Sequence, residues 1–122
     1  MILVDTSVWV DHLRRADATL IRLLDEGQVL THPFVVGEVA MGNLPRRRLF
    51  LDEMRRLPHA LVASDSEAMS LMEHEHLYGR GIGFADLHLL AATRLTPQTA
   101  LWSRDRRLRA IAGELGLAGS PN

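Results

Sequence analysis

The chain has 122 residues, 47% of them apolar, with a formal net charge of -1 and no cysteine. That length and apolar content exclude a disordered chain and fit one domain over residues 1–122. The absence of cysteine excludes a disulfide framework, a thiolate zinc site and a cysteine nucleophile. All 14 basic residues are arginine, which excludes any mechanism that needs a lysine. They cluster at Arg46-Arg47-Arg48, at Arg55-Arg56 and between Arg104 and Arg109. The near-neutral total gives no global signature of nucleic-acid binding. The longest stretch free of charged side chains, 27–37, is far short of the roughly 20 apolar residues of a membrane span. The N-terminus lacks the pattern of a signal peptide. We therefore expect a soluble, cytoplasmic protein.

Short apolar runs alternate with longer amphipathic ones along the chain. Residues 2–4 read as a first strand, and 7–15 as a helix with Val8, Trp9 and Leu13 on its apolar side. Asp17 is placed to cap a second helix that carries Leu20, Ile21, Leu23 and Leu24 and stops at Gly27. Val29-Leu30-Thr31 reads as a second strand. Pro33 then opens a third helix, where a first turn tolerates proline. A fourth helix runs over 46–57 and stops before Pro58. Leu61-Val62-Ala63 reads as a third strand. "SDSE" from Ser64 has the form of a capping box for a helix reaching about Tyr78. "GRGIG" is a loop, and "FADLHLLAATRL" a buried helix. "TALW" is a fourth strand, and the helix of "RDRRLRAIAGELG" is the last, followed by a short polar tail. Strands and helices in this alternation imply a parallel sheet covered on both faces, with ligands beyond the carboxyl ends of the strands.

That edge is where four carboxylates fall. Asp5 follows the first strand directly, and Asp105 follows the fourth after Ser103 and Arg104. Glu38 is the only charge between Glu26 and Arg46, with apolar Val35, Val36, Val39 and Ala40 around it, and we expect it to be buried. Asp86 stands alone near the start of an otherwise apolar helix. Singly, Asp5 and Asp105 read first as helix caps, and Asp86 as a charge favoured by a helix N-terminus. Together, several carboxylates in one cleft repel each other, and a divalent cation removes the repulsion. Oxygen-only ligands suit Mg²⁺ or Mn²⁺, and the fitting chemistry is phosphodiester hydrolysis. Ser7 and Ser103 lie two residues from Asp5 and Asp105 and are placed either to orient a ligand or to serve as ordinary caps.

"LVDTSVW", a glutamate in the helix after the second strand, "GIGFADLHLLAA" and "LWSRDRRL", in that order, resemble PIN-domain ribonucleases, and within them the VapC toxins of bacterial toxin–antitoxin pairs. The resemblance implies a PIN-like α/β/α sandwich with a central parallel sheet of four to five strands. It implies an Mg²⁺- or Mn²⁺-dependent endoribonuclease, a homodimer, and silencing by a VapB-like antitoxin. Asp5, Glu38, Asp86 and Asp105 stand at the family's acidic positions, with Asp5 and Asp86 most like direct metal ligands. Ser7 and Ser103 stand where the family usually has a Ser or Thr. The RNA, whether tRNA, rRNA or mRNA, is not named by the sequence.

Other features compete. Arg104 and Arg106 flank Asp105 and are candidates for RNA or antitoxin contact. The arginines at 46–48 read rather as a solvated face. His74 and His76, two apart, face different ways on a helix and do not make a zinc site. His88 reads as a packing or partner contact, Trp9 as core or dimer interface, and Trp102 as core. Two other functions remain. A phosphoacceptor or phosphatase domain also places an aspartate after its first strand, but a receiver needs a lysine, and dehalogenase-like phosphatases want an aspartate where Ser7 sits. A PIN domain without nuclease activity would use the acidic pocket only to dock a partner's arginine.

Overall fold

The computed structural model describes residues 1–119. The polar tail at 120–122 lies outside them. Three short strands form a parallel sheet in the order β2-β1-β3: β1 (Ile2–Val4), β2 (Val29–Leu30) and β3 (Ala100–Trp102). Leu3 pairs with Leu30 on one side and Leu101 on the other, and all three are buried. Buried on both faces, such strands read as continuous apolar runs rather than alternating ones.

Helices α1 (Thr6–Arg14) and α2 (Ala18–Asp25) connect β1 to β2. Then follow α3 (Pro33–Ala40), α4 (Arg47–Arg56), α5 (Asp65–His74) and α6 (Phe84–Leu95), and α7 (Arg106–Glu114) comes after β3. Most starts are capped: Asp17 accepts from the Leu20 amide at 2.9 Å, and the capping box at Ser64 and Glu67 is complete. Pro33 takes the first turn of α3, while the His32 ring caps it by accepting from the Phe34 amide at 3.0 Å. Helix α5 ends at His74, a turn before the expected Tyr78. Helix α6 is buried from Leu87 through Thr93 and packs against α5 and β3, as expected of a helix apolar nearly all round.

The expected count of four to five strands is corrected to three among the described residues. Residues 61–63 make no ladder. The chain touches β2's extension once, where the Ala60 amide donates to the Thr31 carbonyl at 3.0 Å and Thr31 bridges His59. One residue later, the Leu61 amide donates instead to Thr96 Oγ1 at 2.9 Å, which draws the backbone away from the sheet. Leu61 and Val62 are consequently exposed. A matching one-residue bridge, Leu101 to Ala118, borders β3.

Candidate active site

Strand β1 is the middle strand, and the chain reaches its two neighbours on opposite sides. Its carboxyl end is therefore the switch point at which parallel sheets form ligand crevices. Asp5 sits there, 5% exposed, its amide donating to the Trp102 carbonyl at 2.9 Å. The helix-cap reading of Asp5 holds. It caps α1, and Oδ2 accepts from the Ser7 amide at 3.3 Å, Ser7 Oγ at 2.6 Å and Ser103 Oγ at 2.8 Å. Oδ1 takes no hydrogen bond among the described residues.

The other three carboxylates share this pattern of one anchored oxygen and one open. Glu38 Oε1 accepts from Thr6 Oγ1 at 2.7 Å. Asp86, in the first turn of α6, has Oδ2 on the Gly83 amide at 3.2 Å. Asp105 caps α7 through Oδ1, which accepts from the Leu108 amide at 2.9 Å. Burial pushes the Asp86 carboxyl above its ordinary range, and the charges of Asp5, Asp105 and Glu38 push it the same way. Asp5, Glu38 and Asp105 are thus each within electrostatic reach of Asp86. The expected burial of Glu38 is corrected. Val35, Val36 and Val39 fill the inner face of α3, and Glu38 lies on its exposed side.

Ser7 and Ser103 join the ends of β1 and β3. Each hydroxyl donates to Asp5 Oδ2 and accepts a backbone amide, from Arg104 at 2.9 Å for Ser7 and from Asp105 at 3.0 Å for Ser103. Ser103 is 4% exposed, and its loss removes one donor from Asp5 Oδ2 and the acceptor of the Asp105 amide. Ser103→Ala is expected to weaken divalent-metal affinity by about 10- to 100-fold, the usual effect of losing a group that orients a ligand. Titration calorimetry reads this, and unchanged affinity would deny Ser103 that role.

Thr6 is the functional candidate that sequence reading passed over. Its signal was its place beside Asp5, but a contact to a glutamate 32 residues away leaves no local pattern. Arg104, a candidate for RNA or antitoxin contact, is engaged within the chain. It pairs with Asp11 at 2.7 Å and with Asp17, and its guanidinium lies 5.7 Å from the centre of the half-buried Trp102 ring. Of the arginines at 46–48, Arg47 donates to the Ala40 and Gly42 carbonyls at the end of α3. His88 is a packing residue, 2% exposed between the rings of Phe34 and Phe84, with Nε2 3.0 Å from Asp65 Oδ1. Trp9 is core, and His74 and His76 are exposed.

A divalent cation fits the donor chemistry, which is all oxygen, with three carboxylates bearing on Asp86. Among the described residues, no three acidic or imidazole groups stand at the spacing of one ion's ligands. Mg²⁺ asks less than that, since it keeps several waters and takes only one or two carboxylates directly.

Residues 2–114 match the family model of the PIN domain, and the chain belongs to that family. It is similar to Ribonuclease VapC32 of Mycobacterium tuberculosis, in strain CDC 1551 / Oshkosh and strain ATCC 25618 / H37Rv alike. Identity is 42% over 118 residues, covering 97% of this chain and 95% of the relative. Within the PIN family the chain is thereby of the VapC toxin type. No helix among the described residues is long and apolar enough to cross a membrane.

Proposed function

We propose that the chain is a metal-dependent endoribonuclease toxin, silenced by a VapB-like antitoxin and acting as a homodimer. The supporting relative is a ribonuclease by name. The observation that carries the reading is the carboxyl-edge cluster, in which each of four carboxylates keeps one oxygen anchored and the other open.

Asp5 and Asp86 would hold Mg²⁺ or Mn²⁺, with Asp105 and Glu38 completing the set. The ion would supply charge stabilisation at the phosphate and acidify water for attack on phosphorus. The chain's own residues do the rest. Ser7 and Ser103 fix Asp5, so that Oδ1 needs no reorganisation. Asp86, whose carboxyl burial and the neighbouring carboxylates push above its ordinary range, would gain most from a cation beside it. Glu38, exposed and steadied by Thr6, is available to take a proton from attacking water.

With Mg²⁺ or Mn²⁺, the purified protein is expected to cut structured RNA to 5′-phosphate and 3′-hydroxyl ends and to stop in EDTA. Cyclic phosphate ends, or cutting that survives full chelation, would overturn the mechanism. A second reading has one observation in its favour, the absence of a closed three-ligand group among the described residues. In it the cluster only docks a partner's basic side chain, and neither metal binding nor cutting is expected.

A further inference from the structure

A cleft of about 690 Å³ lies between the N-terminal end of α2 and one face of α7, along β3. It has the size of a nucleotide-scale ligand site. Its floor includes Leu101 and Trp102, and three arginines line it: Arg104, Arg106 and Arg109. Their situations differ. Arg104 is neutralised by Asp11 and Asp17. Arg106 and Arg109 are exposed, three apart on one helix, and make no ion pair or side-chain hydrogen bond among the described residues. Asp17 also lines the cleft, but its oxygens are taken by the Leu20 amide and Arg104. The cleft therefore offers two uncompensated guanidiniums in a chain whose formal net charge is -1.

The cleft also adjoins the carboxylate cluster. Ser103 lines it and donates to Asp5 Oδ2 from the same hydroxyl. Asp105, the cap of α7, immediately precedes Arg106. A polyanion entering the acidic cluster meets four carboxylates that repel it. Cationic side chains beside the cluster are needed to hold the strand on either side of the cut.

We infer that this cleft is the track for the RNA strand flanking the scissile bond, with backbone phosphates on Arg106 and Arg109, while Arg104 shapes the wall and does not bind substrate. The inference rests on the nuclease reading but concerns binding, which is measured apart from cutting. A strand is favoured over an acidic protein segment because Ser103, which lines the cleft, also holds Asp5, beside which the strand would be cut.

The test is binding of a mixed-sequence single-stranded RNA oligonucleotide to Asp5→Asn protein across a salt series, with and without Arg106→Gln/Arg109→Gln. A second pair, Arg48→Gln/Arg56→Gln on α4, removes the same charge away from the cleft. The cleft pair is expected to weaken binding about tenfold and to flatten the dependence of log K on log salt by about 1.4, two phosphates at roughly 0.7 each. The α4 pair is expected to leave that slope unchanged. A slope that is the same in the cleft pair as in its parent, or that falls equally in the α4 pair, overturns the inference. So does loss of an acidic antitoxin segment with RNA binding intact, which assigns the cleft to protein. A wild type that cuts no RNA with metal supplied would refute the nuclease reading, and the salt slope would still decide the cleft.

Discussion

Asp5→Asn is expected to lower RNA cleavage by about a hundred- to a thousandfold, the scale set by removing one preorganised group from a charge-stabilising site. The amide keeps the shape, and its oxygen can still accept from Ser7 and Ser103. Asn is also as good a helix cap as Asp, so α1 keeps its start. What disappears is the charge and the open carboxylate oxygen. Removing one of the negative charges that bear on Asp86 also relieves repulsion. The variant is therefore expected to melt at or above the wild-type temperature without metal, while its cleavage rate collapses. Near-normal cleavage would remove Asp5 from the chemistry. A collapse of both activity and melting temperature would make its role structural.

Acid is expected to cost the fold about 3 kcal/mol through one histidine. His32 is fully buried, and burial, followed by the charges of His88 and His59, lowers its pKa from 6.5 to about 4. A base whose folded pKa is depressed stabilises the fold fully above the unfolded value. That stability drains away as pH falls from about 6.5, and the loss is complete near 4, at about 1.4 kcal/mol per unit. The ring cannot be protonated cheaply, because Nδ1 is spent on the Phe34 amide and Nε2 is buried without a partner among the described residues. His32→Asn keeps a capping oxygen and removes the titration. Urea unfolding across this pH range should show a shallower acid loss in the variant, at the cost of lower stability at neutral pH from the smaller side chain. Equal pH slopes in the two proteins would refute the assignment.

Much of the fold and of the carboxylate cluster was legible in the sequence because these residues sit where the chain must put them. Asp5 ends an apolar strand, Asp105 starts a helix after another, and Asp86 opens a helix too apolar to be anything but interior. The alternation of strand and helix was enough to bring them to one edge. Glu38 was found by an argument that fails in detail, for apolar neighbours on a helix bury only the face they share. The third strand failed for a related reason. Leu61-Val62-Ala63 has strand composition, but Thr96, 35 residues away, claims the Leu61 amide that a ladder would use. Arg104 shows the same limit, since its partners lie 93 and 87 residues back in the chain. His32 escaped because histidine is not among the preferred capping residues, and its role emerges only when the folded chain buries the ring.

The central claim is that the four carboxylates form a divalent-cation centre, and titration calorimetry of Mn²⁺ into the antitoxin-free protein tests it without knowledge of the RNA. The account predicts saturable binding at millimolar metal or tighter, abolished by Asp5→Asn. No binding at millimolar Mn²⁺, in a protein whose melting transition shows it folded, would contradict it and leave the cluster as a dock for a basic side chain.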